Sequence, residues 1–166
     1  MSSLLCLPLI AILGACAPDR APTASMGEPS FYVKLSAPDV QIDPFAARDM
    51  ISIHRHNHGL GPVRVDPALQ RAAQAQVEAM VKANELSHTV GGTLMLRLDA
   101  AGAAHEAAVE NISAGYATLA EAFSGWRQSP SHDANMLDAR VTRMGIATAY
   151  APGSRYGVYW ALVMTD

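Results

Sequence analysis

Thiols are nearly absent from this chain. Of 166 residues only Cys6 and Cys16 are cysteine, so nothing after position 16 can form a disulfide. Whatever folds there is held by packing and hydrogen bonds alone. Aromatic residues are few, at 6%, and charged residues make up only 16%. The lysines and arginines are scattered, with no basic run, and the net charge is −3. That balance argues against nucleic acid as a partner. No Gly-x-Ser-x-Gly pattern marks a serine nucleophile. What is abundant is apolar material, half of the chain. At this length one domain can bury about two thirds of its unfolded surface.

The first sixteen residues are a different material. Leu4 to Ile12 is almost purely apolar, yet too short to span a bilayer. Leu13-Gly14-Ala15-Cys16 follows. The whole resembles a bacterial lipoprotein signal: an apolar stretch, small residues at the cleavage point, then a cysteine to be acylated. The usual Lys or Arg ahead of the apolar run is missing. Cleavage before Cys16 would remove Cys6 and leave Cys16 as the lipidation site, holding the protein at a membrane surface. The expectation is therefore a signal over 1–16 and an exported, lipid-anchored protein of the cell envelope. In a Gram-negative cell that means the outer membrane or the periplasmic face. Residues 17–42 contain Pro18, Pro22, Pro29 and Pro38 among Ala, Ser and Thr, and read as an extended tether. Within it, Phe31-Tyr32-Val33 can add an edge strand or pack on the domain.

The folded unit is expected over 43–166. Asp43-Pro44 and Asp66-Pro67 each put a capping carboxylate before a proline at the first helical position. The first helix ends before Gly59-Leu60-Gly61-Pro62, and the second runs to about Glu85. His54 and His58 share a face of the first helix. With Arg55 beside them and no acidic third partner in view, they read as solvated or capping histidines rather than a metal pair. Gly91-Gly92 breaks the chain, and Thr93 caps a helix over Leu94 to Ala101. An extended segment then carries Glu110, and a buried carboxylate there needs a partner. A further helix spans Thr118 to about Arg127. Val141 to Tyr150 and Tyr156 to Met164 form an antiparallel pair around Ala151-Pro152-Gly153-Ser154.

Between these lies Trp126 to Leu137. Ser129 can cap a second short helix that Pro130 opens. His132 falls in its first turn, where free N–H groups disfavour an imidazolium. A neutral imidazole is the form that ligates metals or accepts protons.

Three stretches, taken with this last one, resemble the CAP superfamily (cysteine-rich secretory, antigen 5, pathogenesis-related) in its compact bacterial form. They are Arg55 with Gly59-Leu60, then Ser87-His88, then Glu110-Asn111-Ile112 before Gly115. Trp126 through Leu137 completes the ordered set, and Met144-Gly145-Ile146-Ala147 with Tyr159-Trp160 resembles the family's closing strands. The resemblance implies an α+β fold, an α-β-α sandwich with a central antiparallel sheet. It implies a cleft formed by His88, Glu110 and His132, with Asn111, Ser129 and Asn135 in support. The chain also departs from the family. Ser52 stands where Asn is usual. Glu121 has the wrong spacing for the second acidic ligand of eukaryotic members. Tyr156 to Trp160 lacks their second signature histidine. Animal and plant members lean on disulfides that this domain cannot form.

Two functions fit. As a binding module, the cleft holds zinc or another divalent cation, or a small-molecule, lipid or envelope ligand; two histidines and a carboxylate leave one zinc position open. As an enzyme, the metal, or Glu110 with a histidine, activates water for hydrolysis of an envelope peptide or ester. The non-catalytic reading is preferred, with Asn111 and Asn135 orienting rather than acting. If Cys16 is the lipid anchor, Cys16→Ser moves the protein from the membrane fraction to the soluble fraction of fractionated cells. Retention in the membrane fraction would refute the anchor.

Overall fold

The computed structural model describes residues 27–166. The signal expected over 1–16, with Cys16, lies outside the described residues. Both Asp-Pro pairs do what their chemistry demands. Asp43 Oδ1 accepts the N–H groups of Phe45 and Ala46 and starts helix α1, Pro44–His56. Asp66 Oδ1 accepts those of Ala68 and Leu69 and starts α2, Pro67–Ala83. Between them lies the two-residue strand β1, Arg64–Val65. Helix α2 stops at Asn84, which takes the left-handed conformation. Helix α3, Leu94–Ala101, is capped by the Thr93 hydroxyl. Strand β2 is Ala108–Ala114. Helix α4, Leu119–Gln128, opens on a full capping box between Thr118 and Glu121. Glu121 is thus spent on the helix start. Helix α5 is Pro130–Met136, and strands β3, Arg143–Ala151, and β4, Gly157–Thr165, close the fold.

The sheet order is β1-β3-β4-β2. Strand β4 pairs antiparallel with both β2 and β3. The short edge strand β1 pairs parallel with β3, where only an extended link was expected. Strand β4 is buried on both faces. Val158, Trp160, Leu162 and Met164 join the core under α1, α4 and α5. Tyr159, Ala161 and Val163 join the core under α2 and α3. The result is the α-β-α sandwich, two helical layers on one sheet.

Residues 30–42 differ from the expected tether. Ser30–Tyr32 forms a 3-10 turn rather than an edge strand, and Phe31 packs on the domain, the other expected alternative. Leu35 is buried in the core and its N–H donates to the Ala117 carbonyl at 2.8 Å. Phe31, Val40 and Ile42 pack against the same core. The prolines stiffen this segment, but its spaced apolar side chains decide where it lies.

Two close contacts fix the layers. The Arg55 guanidinium is 2% exposed and donates to four carbonyls: Gly61, Met136, Asp138 and Val141, at 2.8–3.0 Å. It ties the end of α1 to the exit of α5 and the approach to β3. On the other face, Gly145 lets α2 lie directly on β3. A Cβ there would stand 2.1 Å from the Leu69 carbonyl carbon and 2.3 Å from the Gln70 nitrogen. Backbone cannot retreat from that overlap as a flexible side chain can. Gly145→Ala is expected to cost about 3 kcal/mol or more in chemical denaturation. Gly61→Ala, which meets open space, should stay within about 0.5 kcal/mol of the parent. Equal, small effects at both positions would show that α2 is free to shift.

Candidate functional site

The site is assembled from four elements. Strand β2 supplies Glu110 and Asn111. Helix α5 supplies His132 and Asn135. The segment between α2 and α3 supplies His88, and α3 supplies Arg97. The Glu110 side chain is 3% exposed, and both of its oxygens are occupied. The His88 Nδ1–H donates to Oε1 at 2.8 Å. Arg97 donates through Nη2 to Oε2. Arg97 is itself buried, and its Nη1 donates to the carbonyls of His88 and Gly92. One guanidinium therefore neutralises the carboxylate and holds the backbone that carries the histidine. Gln76 of α2, fully buried, holds the same segment by donating to the Ser87 carbonyl at 2.7 Å.

This arrangement settles which His88 nitrogen is free. With Nδ1 donating to Glu110, a neutral ring keeps its lone pair on Nε2. The His88 side chain is 56% exposed, so that nitrogen is on the open side of the buried pair. His132 stands near enough to feel its charge. Burial first, and His88 second, lower the His132 pKa below the ordinary histidine value.

The asparagines join α5 to β2. Asn111 Nδ2 donates to the His132 carbonyl at 2.9 Å. Asn135 Nδ2 donates to Asn111 Oδ1 at 2.8 Å and to the Glu110 carbonyl at 3.1 Å. These bonds fix His132 relative to Glu110 through backbone as well as side chain. Ser129 does less than expected. It occupies the N-cap of α5, but its hydroxyl makes no capping bond and lies 3.4 Å from the Ser131 hydroxyl. The extended Ser129 backbone and Pro130 suffice to start the helix.

The geometry bears on a metal. Among the described residues, no three His, Cys, Asp or Glu side chains are grouped to hold one ion. Glu110 does not fit as a direct ligand, because an imidazole and a guanidinium already take its oxygens. The donors that fit are the two imidazoles, with Glu110 behind His88 as the carboxylate that orients a metal-binding ring.

A family model, that of the Cysteine-rich secretory protein family (CAP), matches residues 48–164. The chain belongs to this family. Among relatives with curated sequences, the uncharacterized protein YkwD of Bacillus subtilis (strain 168) is 28% identical over 101 residues, 59% of this chain. The chain spans only 39% of that relative's length. Among solved structures, an extracellular protein containing an SCP domain from Bacillus anthracis superposes with a TM-score of 0.65 at 25% identity. That match covers 74% of this chain and 40% of the other. An outer surface protein from Borrelia burgdorferi also gives 0.65, at 18% identity, over 76% of this chain and 98% of its own. At that identity the likeness is one of fold. The CAP fold read from the ordered motifs is the one present.

Two functional contacts escaped the sequence. Arg97 sits in an apolar helix, Leu94-Met95-Leu96-Arg97-Leu98; a lone charge on what becomes a buried face was the available signal. His54 is not solvated. It is 8% exposed and its Nε2–H donates to Asp133 at 2.7 Å, linking α1 to the residue beside His132. His58, by contrast, donates from Nδ1 to the His54 carbonyl, a true C-terminal cap.

Because the unfolded chain takes up a proton on His132 before the folded one does, stability falls as pH drops below the ordinary histidine range. In an NMR titration, His132 should titrate below a free histidine. His88→Ala should move it part of the way back, leaving the share due to burial. A His132 titration untouched by that change would mean the two imidazoles do not share a site.

Proposed function

We propose that this CAP domain is an exported, lipid-anchored binding module of the cell envelope, and that it is not a catalyst. On this reading the His88–Glu110–His132 site takes a divalent cation, zinc being the natural choice, or a small polar or lipid ligand. The observation that carries it is the double engagement of Glu110 by His88 and Arg97. A carboxylate paired on both oxygens is a positioning group. It is not free to take a proton from water, as a general base must. What it positions is an imidazole with an outward lone pair, and His132 is held near the neutral state that coordination requires. Two imidazoles leave coordination positions for water or for a ligand donor. Export draws support from the relatives, one described as extracellular and one as an outer surface protein. Anchoring at Cys16 rests on the leader alone.

Calorimetric zinc titration of residues 17–166 tests the site. One zinc per chain is expected for the parent, with none for His132→Ala. Glu110→Gln should bind about 10–100-fold more weakly, as loss of an orienting partner does. Undiminished binding in His132→Ala, or no zinc uptake by the parent, would remove the cation from the reading. Ester or peptide hydrolysis by the parent that is lost in His132→Ala would overturn the non-catalytic assignment.

A further inference from the structure

The helical layer away from α2 and α3 carries an apolar face that the site does not use. Three of the large hydrophobic residues exposed on the described surface cluster there: Tyr32 at 52%, Phe45 at 56% and Ile53 at 63%. Tyr32 packs edge-on against Phe31. Two hollows run along α1 and join. One, of about 350 Å³, is lined by Phe31, Phe45 and Met50 among others. The next, of about 480 Å³, is lined by Leu60 and Pro62 together with the polar Ser52 and His56. Ile53 and Asp49 line both, so the groove is continuous along the helix. Its length is that of α1, 13 residues or about 20 Å.

The groove lies where the chain enters the domain, for Ser30 also lines the first hollow. Thirteen residues lie between Cys16 and Ser30, and a chain of that length reaches at most about 50 Å. A lipid on Cys16 would therefore keep this face within reach of the bilayer whatever the tether's path. The rim chemistry suits an interface. The Arg48 guanidinium sits 5.2 Å over the Phe45 ring and also pairs with Asp49 at 2.7 Å, so the acid common to both hollows is offset. An exposed aromatic ring with a cation held against its face suits headgroup depth, where an apolar body and a charge are both accommodated.

We infer that the Tyr32–Phe45–Ile53 face of α1 is a membrane-docking surface that lays the domain against the lipid bilayer. The inference rests on the anchored reading for its geometry, but the face is required to bind lipid on its own. The test therefore uses residues 17–166 made without lipid, floated with vesicles of phosphatidylcholine and phosphatidylglycerol. The parent is expected to float with the vesicles. Phe45→Ser with Ile53→Ser should reduce the bound fraction about tenfold or more. Leu96→Ser, which removes an equally exposed residue from α3 (62%), should leave it unchanged. Circular dichroism melts on all three keep misfolding separate from lost binding. A parent that stays unbound overturns the inference, as does an equal loss from Leu96→Ser. A lipid-free dimer that the double substitution dissolves assigns the face to a second copy instead. Failure of Cys16 lipidation in cells, with flotation intact, would sink the anchor and leave this face standing.

Discussion

Everything on the His132 side of the molecule hangs from one buried guanidinium. Arg55 gathers four carbonyls from two separated stretches of chain, Gly61 and residues 136–141. Each hydrogen bond from a charged donor contributes about 1.5–3 kcal/mol, and here they set where α1 ends, where α5 ends and where β3 begins. Burial pulls the Arg55 pKa below its ordinary value, and nearby Asp138 pulls it back up; the side chain stays charged because guanidinium starts so high. Asn111 and Asn135 then carry the placement of α5 across to β2, and so to Glu110. In a domain with no thiol after Cys16, Arg55 makes this join through hydrogen bonds alone.

Arg97 plays the matching part on the opposite layer. The buried Arg97–Glu110 pair satisfies a carboxylate that would otherwise be stranded, and removing one partner of such a pair typically costs about 3–5 kcal/mol. The same guanidinium pins the His88 backbone, so the ring's orientation is inherited from α3. The site is thus suspended between two helical layers, with one imidazole delivered by each. Its chemistry is that of two oriented imidazoles over a neutralised acid. Strand β4 beside it gives Tyr159 and Trp160 to the two cores.

Local signals were the legible part of the sequence. Asp43-Pro44, Asp66-Pro67 and Thr93 each act through atoms within three residues, and the helices begin where they predict. The turn residues Ala151-Pro152-Gly153-Ser154 between two apolar runs placed the closing strands. What stayed hidden depends on distance along the chain. Asp133 lies 79 residues from His54 and Arg97 lies 13 from Glu110, and nothing local says that they meet. Ser129 misled in the other direction: a good capping residue at a capping position turned out to be unneeded once Pro130 set the backbone. The tether misled through composition, since its prolines outnumber Leu35, Val40 and Ile42 but contribute nothing that opposes their burial.

Strand order has a consequence for how the protein is made. The strand that comes last in the described sequence, β4, lies in the interior of the sheet, paired on both edges and buried on both faces. Until residues 157–165 leave the ribosome, β2 and β3 have no common neighbour and neither core has its floor. The helices before them can form only fleetingly on such a platform, since their stability comes from packing. The nascent chain must therefore extend past residue 165 before this domain has a stable fold.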